Sequence, residues 1–67
     1  MLAIEIRPIE PNESYRVRNK VVFKNMDGNW ESVTELTPCE QKAFNNYIEA
    51  VIENEDVKRH PVTTYNY

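Results

Sequence analysis

Thr37-Pro38-Cys39-Glu40-Gln41-Lys42-Ala43-Phe44-Asn45-Asn46-Tyr47-Ile48-Glu49-Ala50-Val51-Ile52-Glu53-Asn54 begins as a helix begins and keeps a helical period to its end. Thr37 supplies a hydroxyl to accept an unpaired backbone N–H. Pro38 stands where a missing N–H costs nothing, and Glu40 sits three residues after the cap. Phe44, Tyr47, Ile48, Val51 and Ile52 then recur at the i, i+3, i+4, i+7, i+8 spacing of one apolar face. Lys42, Asn46, Glu49 and Glu53 fall on the opposite side. The period stops after Glu53, Asn54 can cap the end, and Pro61 bars a longer helix. A helix with one apolar face needs a surface to lie on, and the residues before it supply one.

Leu2-Ala3-Ile4-Glu5-Ile6-Arg7 alternates, with Leu2, Ile4 and Ile6 on one side, as a half-buried strand does. Pro8-Ile9-Glu10-Pro11-Asn12-Glu13-Ser14 carries two prolines among turn formers and reads as a stiff loop. From Tyr15 to Lys24 a second strand is expected. Tyr15, Val17, Val21 and Phe23 would face the helix, and Arg16, Arg18, Lys20 and Lys24 would face away. Asp27-Gly28 predicts a type I′ hairpin turn. That turn sets Lys24 opposite Glu31, Val22 opposite Val33 and Lys20 opposite Glu35, three matches of character in one register. Trp30 to Leu36 is then the third strand.

The expected fold is α+β: a three-stranded antiparallel sheet in β-β-β-α order with one C-terminal amphipathic helix packed on one face. Residues 1–61 form a single small domain. The tail 62–67, rich in β-branched and aromatic side chains, is left as an edge strand or a disordered end. The expected core is Leu2, Ile4, Ile6, Val17, Val21, Phe23, Leu36, Phe44, Tyr47, Ile48, Val51 and Ile52.

A chain of 67 residues buries only about 60% of its unfolded surface, so its stability is marginal and reinforcement is useful. One cysteine cannot form an internal disulfide. With one histidine beside it, a structural zinc site of the usual four ligands is out of reach. No cofactor or metal is expected, and self-association as a weak homodimer is the remaining support. No apolar run is long enough for a membrane span, and no leader pattern opens the chain. With a lone thiol, this suits a cytoplasmic protein. A net charge of −3 disfavours generic nucleic-acid binding.

No residue pattern forms a catalytic constellation. Cys39 sits in the first helical turn, where the backbone favours a thiolate. His60, however, lies beyond the far end of the helix, so no base is at hand. The expectation is a non-enzymatic protein-binding or regulatory protein. Its candidate contacts are Arg16 and Arg18 on the open sheet face, Trp30, Tyr65 and Tyr67 as surplus aromatics, and Glu49 and Glu53 on the acidic helix end. One alternative is a weak nucleic-acid-binding module using Arg16 and Arg18. Another is an acidic accessory inhibitor that blocks a basic groove of an enzyme.

Overall fold

A computed structural model describes residues 2–67. The chain is α+β, with an antiparallel sheet and one helix. The sheet has five strands rather than three, in the order β4-β3-β2-β1-β5. They are β1 (Ala3–Glu10), β2 (Ser14–Val17), β3 (Lys20–Lys24), β4 (Trp30–Ser32) and β5 (Thr63–Asn66), with the helix α1 (Pro38–Tyr47) between β4 and β5. The first strand runs past Pro8, where a loop was expected. The Arg18 N–H donates to the Glu5 carbonyl at 2.8 Å. By alternation the Pro8 nitrogen therefore points to the side of β5, whose pairing with β1 ends at Ile6. The missing donor faces an empty edge, and proline is tolerated there.

The expected strand Tyr15 to Lys24 is broken in two. Val17 pairs with Lys20, leaving Arg18-Asn19 as a two-residue turn, and Arg18 takes φ 58°. Positive φ at the first central position alone fits a type II′ turn, which normally carries glycine there. The turn reverses the alternation of a single strand from Tyr15 to Lys24. Val22 therefore enters the core, while Val21 and Phe23, both expected inside, lie on the opposite face of the sheet.

The β3–β4 register also differs from expectation by one residue: Lys24 opposes Trp30, Phe23 opposes Glu31 and Val22 opposes Ser32. Asn25 N–H bonds to the Asn29 carbonyl at 2.8 Å and Gly28 N–H to the Asn25 carbonyl at 3.0 Å. The loop is thus the three residues Met26-Asp27-Gly28, a type I turn closed by Gly28 at φ 83°. Asn25 favours this longer loop, because its Oδ1 accepts the N–H groups of both Asp27 and Asn29 at 2.9 Å. The paired charges Lys24–Glu31 and Lys20–Glu35 are therefore not formed. Lys24 sits over the Trp30 ring, 5.2 Å from its centroid. Lys20 reaches the Glu35 carbonyl at 3.0 Å and the Glu40 carboxylate at 2.6 Å.

The helix starts as its sequence indicates. Glu40 N–H donates to Thr37 Oγ1 at 3.2 Å and Thr37 N–H donates to Glu40 Oε1 at 2.8 Å, a complete capping box with Pro38 behind it. After Tyr47 the winding loosens into a π-helical turn, Ile48–Ile52. Glu53 N–H closes that turn on the Ile48 carbonyl at 2.8 Å. The extra residue leaves Val51 buried and moves Ile48 and Ile52 to the margin of the core. The buried set is Ile4, Ile6, Tyr15, Val17, Val22, Ala43, Phe44, Tyr47 and Val51, with Leu2 and Leu36 only packed against it.

The tail is ordered as β5, antiparallel to β1, with Ile4 opposite Tyr65 and Ile6 opposite Thr63. Leu2 and Tyr67 exchange backbone hydrogen bonds of 2.6 and 2.8 Å. The molecule measures 30 × 25 × 16 Å, a thickness that holds a sheet and one helical layer. Among the described residues none forms a layer on the second face of the sheet, where Arg7, Arg16, Phe23 and Glu31 are exposed.

Candidate interaction surface

Register determines which side chains share the bare face. Directly opposed residues point the same way, so Arg7, Arg16 and Val21 form a row across β1, β2 and β3. Val33, whose N–H bonds to the Val21 carbonyl at 3.0 Å, extends the row at the β4 edge. A second row runs Ser14, Phe23, Glu31. The face therefore carries Val21, Phe23 and Val33 on and beside β3, with Arg7 and Arg16 toward β1 and β2 and Glu31 on β4. Val33 is 75% exposed and Phe23 36%, while Val21 is half-buried.

Arg7 and Arg16 oppose each other directly, an arrangement that costs a few tenths of a kcal/mol between like charges. Arg7 binds the Glu5 carboxylate through Nε at 3.1 Å and Nη2 at 2.9 Å. Both of those side chains are about half exposed, so the pair adds little. Arg16 has no ion pair among the described residues. A groove of about 580 Å³, lined by Asn12, Glu13, Ser14, Phe23, Lys24 and Asn25, opens at one end of the same sheet.

The residues singled out from sequence do not converge on one site. Arg16 is on the bare face, but Arg18 lies in the β2–β3 turn with its guanidinium 4.0 Å from the buried Glu40 carboxylate. Trp30 is half-buried, edge-on to Tyr15 at 5.7 Å and to Phe44 at 5.3 Å between centroids. Tyr65 and Tyr67 are half-buried against the core. The Tyr67 hydroxyl is hydrogen-bonded by the Asn46 amide, and Lys42 lies over its ring. Glu49 and Glu53 are exposed at the end of the helix, away from the arginines. Val21, Phe23 and Val33 were missed, the first two because the strand reversal at Arg18-Asn19 was missed.

Among the described residues, no buried side-chain nitrogen or oxygen lacks a hydrogen-bond partner. Burial pushes the Glu40 carboxyl up, but the Lys20 ammonium and the Thr37 contacts outweigh it and hold the group below its ordinary range. Tyr15 is fully buried. Its oxygen accepts the Asn12 N–H at 2.7 Å and shares a hydrogen bond of 2.6 Å with His60 Nδ1. Burial raises the Tyr15 phenol, against the lowering by Asn12. Tyr47 donates to the Pro61 carbonyl at 2.8 Å and is pushed up to about 12, by burial first and then by its neighbours Tyr15 and Tyr65. The two phenols anchor the segment after the helix, Tyr15 to the sheet and Tyr47 to the helix. They are poorly suited to ionise as nucleophiles. Cys39 is half-buried beside the core. Among the described residues no three His, Cys, Asp or Glu side chains are grouped to hold a metal ion.

The chain matches no family model, no curated protein and no solved structure. Nor, among the described residues, is any helix long and apolar enough to cross a membrane.

Proposed function

We propose that this chain is a non-enzymatic protein-binding protein, regulatory in role, whose contact surface is the bare face of the sheet. The observation that carries this is the row Val33, Val21, Arg16, Arg7, which sets the exposed Val33 and the half-buried Val21 beside an arginine with no ion-pair partner among the described residues. Interfaces have that composition: an apolar centre with arginine among the favoured residues. A nucleic-acid role has less behind it, because Arg18 is drawn to Glu40 and only Arg7 and Arg16 remain side by side. The acidic-inhibitor role rests on the acidic end of the helix, Glu49 and Glu53 with Glu55 and Asp56 after them. A reducing compartment such as the cytoplasm suits the free thiol of Cys39.

A photo-crosslinking amino acid placed at Val33, and separately at Glu49, tests the assignment in cells that produce the protein. Protein adducts are expected from Val33 and not from Glu49. Adducts from Glu49 alone would move the contact to the helix end, and adducts from neither would remove protein binding from the account.

A further inference from the structure

The bare face is divided in a way that suits one occupant in particular. Its apolar side chains, Val21, Phe23 and Val33, centre on β3. Arg16 lies on the strand to one side and Glu31 on the strand to the other. A two-fold axis parallel to the strands and running over β3 sets β2 of one copy against β4 of the other. Val21 and Phe23 then meet their own counterparts near the axis. Arg16 meets Glu31 of the second copy, and the symmetry makes that contact twice.

The distances are compatible. Arg16 is level with Val21 and Glu31 is level with Phe23, an offset of two residues, or about 7 Å along the strand. Facing sheets pack about 10 Å apart with their side chains interdigitated, and a long arginine and a glutamate reaching from opposite sides span that gap. The broad side of the molecule is 30 by 25 Å, on the order of the ~800 Å² that each partner contributes to a standard interface. The contact also places a carboxylate beside Arg16, whose neighbour on β1 is another arginine.

We infer that the partner of the bare face is a second copy of this chain, packed sheet to sheet about a two-fold axis over β3, with Arg16 of each copy paired to Glu31 of the other. The inference rests on the assignment of that face as the contact surface and names its occupant.

Sedimentation equilibrium on the full chain from about 1 µM to about 1 mM covers the affinities of weak and moderate dimers. A concentration-dependent dimer is expected. Arg16→Glu or Glu31→Arg should each weaken it tenfold or more, and the double exchange Arg16→Glu with Glu31→Arg should restore it. Both side chains are exposed, and an unchanged far-ultraviolet circular dichroism spectrum and melting temperature at low concentration show that each variant folds. A monomer throughout the range would overturn the inference. So would a dimer indifferent to both exchanges, or one that the double exchange does not recover. Crosslinking from Val33 separates the two claims: adducts with a different protein from a monomeric chain overturn the self-pairing and leave the contact face standing, whereas no adduct at all removes both.

Discussion

Lys20→Met should be among the most damaging single changes to a side chain that is not part of the apolar core. The Lys20 ammonium lies 2.6 Å from the Glu40 carboxylate, and the Glu40 side chain is 2% exposed. Removing one member of a buried pair typically costs about 3 to 5 kcal/mol, because the other is left desolvated and unpaired. Glu40 keeps the Thr37 N–H at 2.8 Å, and Arg18 stands 4.0 Å away. The expected loss is therefore lower, about 2 to 3 kcal/mol. A domain of this length has only about 3 to 10 kcal/mol to lose, so the melting temperature should fall by about 10 to 20 °C. Urea and thermal denaturation of Lys20→Met and of the double change Lys20→Met with Glu40→Met measure the loss. The double variant should recover part of it, since no charge is then stranded. The dependence on pH has a definite sign. Glu40 is held below its ordinary value of 4.5, so its contribution is present above that pH and is lost as pH falls through the folded value. The deficit of Lys20→Met should shrink on acidification. Melting within about 2 °C of the parent at neutral pH, or a deficit unchanged in acid, would refute the assignment of this pair as a main tie between the helix and the β2–β3 turn.

Two further outcomes follow from the core and its phenols. Phe44→Ala should cost about 3 to 5 kcal/mol and approach complete unfolding, while Ile48→Ala at the margin should cost about 1 to 2; equal urea midpoints for the two would contradict the burial difference between them. The fold should also loosen in alkali. Tyr47 is raised from 10.0 to about 12, so the stability it contributes is complete below pH 10 and is lost as pH rises toward 12. Tyrosinate absorbance followed together with circular dichroism should show late ionisation coinciding with loss of structure, and full ionisation near pH 10 in an intact fold would rule this out.

The features legible in the sequence are those decided within a few residues. The capping box at Thr37 and Glu40, the apolar face as far as Tyr47 and the first strand as far as Arg7 each depend on neighbours along the chain, and each is found where the pattern puts it, although the strand continues to Glu10. The β2–β3 turn was not legible because Arg18 takes a positive φ that the sequence assigns by default to glycine or asparagine. The contacts that brace it are distant in sequence: Arg18 N–H with the Glu5 carbonyl, and the Arg18 and Lys20 side chains with Glu40. That one omission reversed the faces of Val21, Val22 and Phe23, and with them the composition of the candidate surface. The β3–β4 register failed for a different reason. Asp27-Gly28 by itself favours a two-residue turn, but the side-chain bonds of Asn25 select a loop one residue longer. The Tyr15–His60 contact joins residues 45 apart, which no local pattern indicates.

The position of β5 bears on how the molecule assembles. β1 is the first strand to be made, yet its second neighbour in the sheet is the last. Between them lie three strands and the helix, whose pairings are mostly between segments adjacent in the chain and can close early. The β1–β5 ladder must bring together residues separated by almost the whole sequence, and it meets the full entropy of closing that loop. A chain emerging in order from its N-terminus therefore holds a four-stranded meander with one raw edge along Ala3 to Ile6. That edge is an open template for strand exchange until Thr63 to Asn66 arrive to cover it.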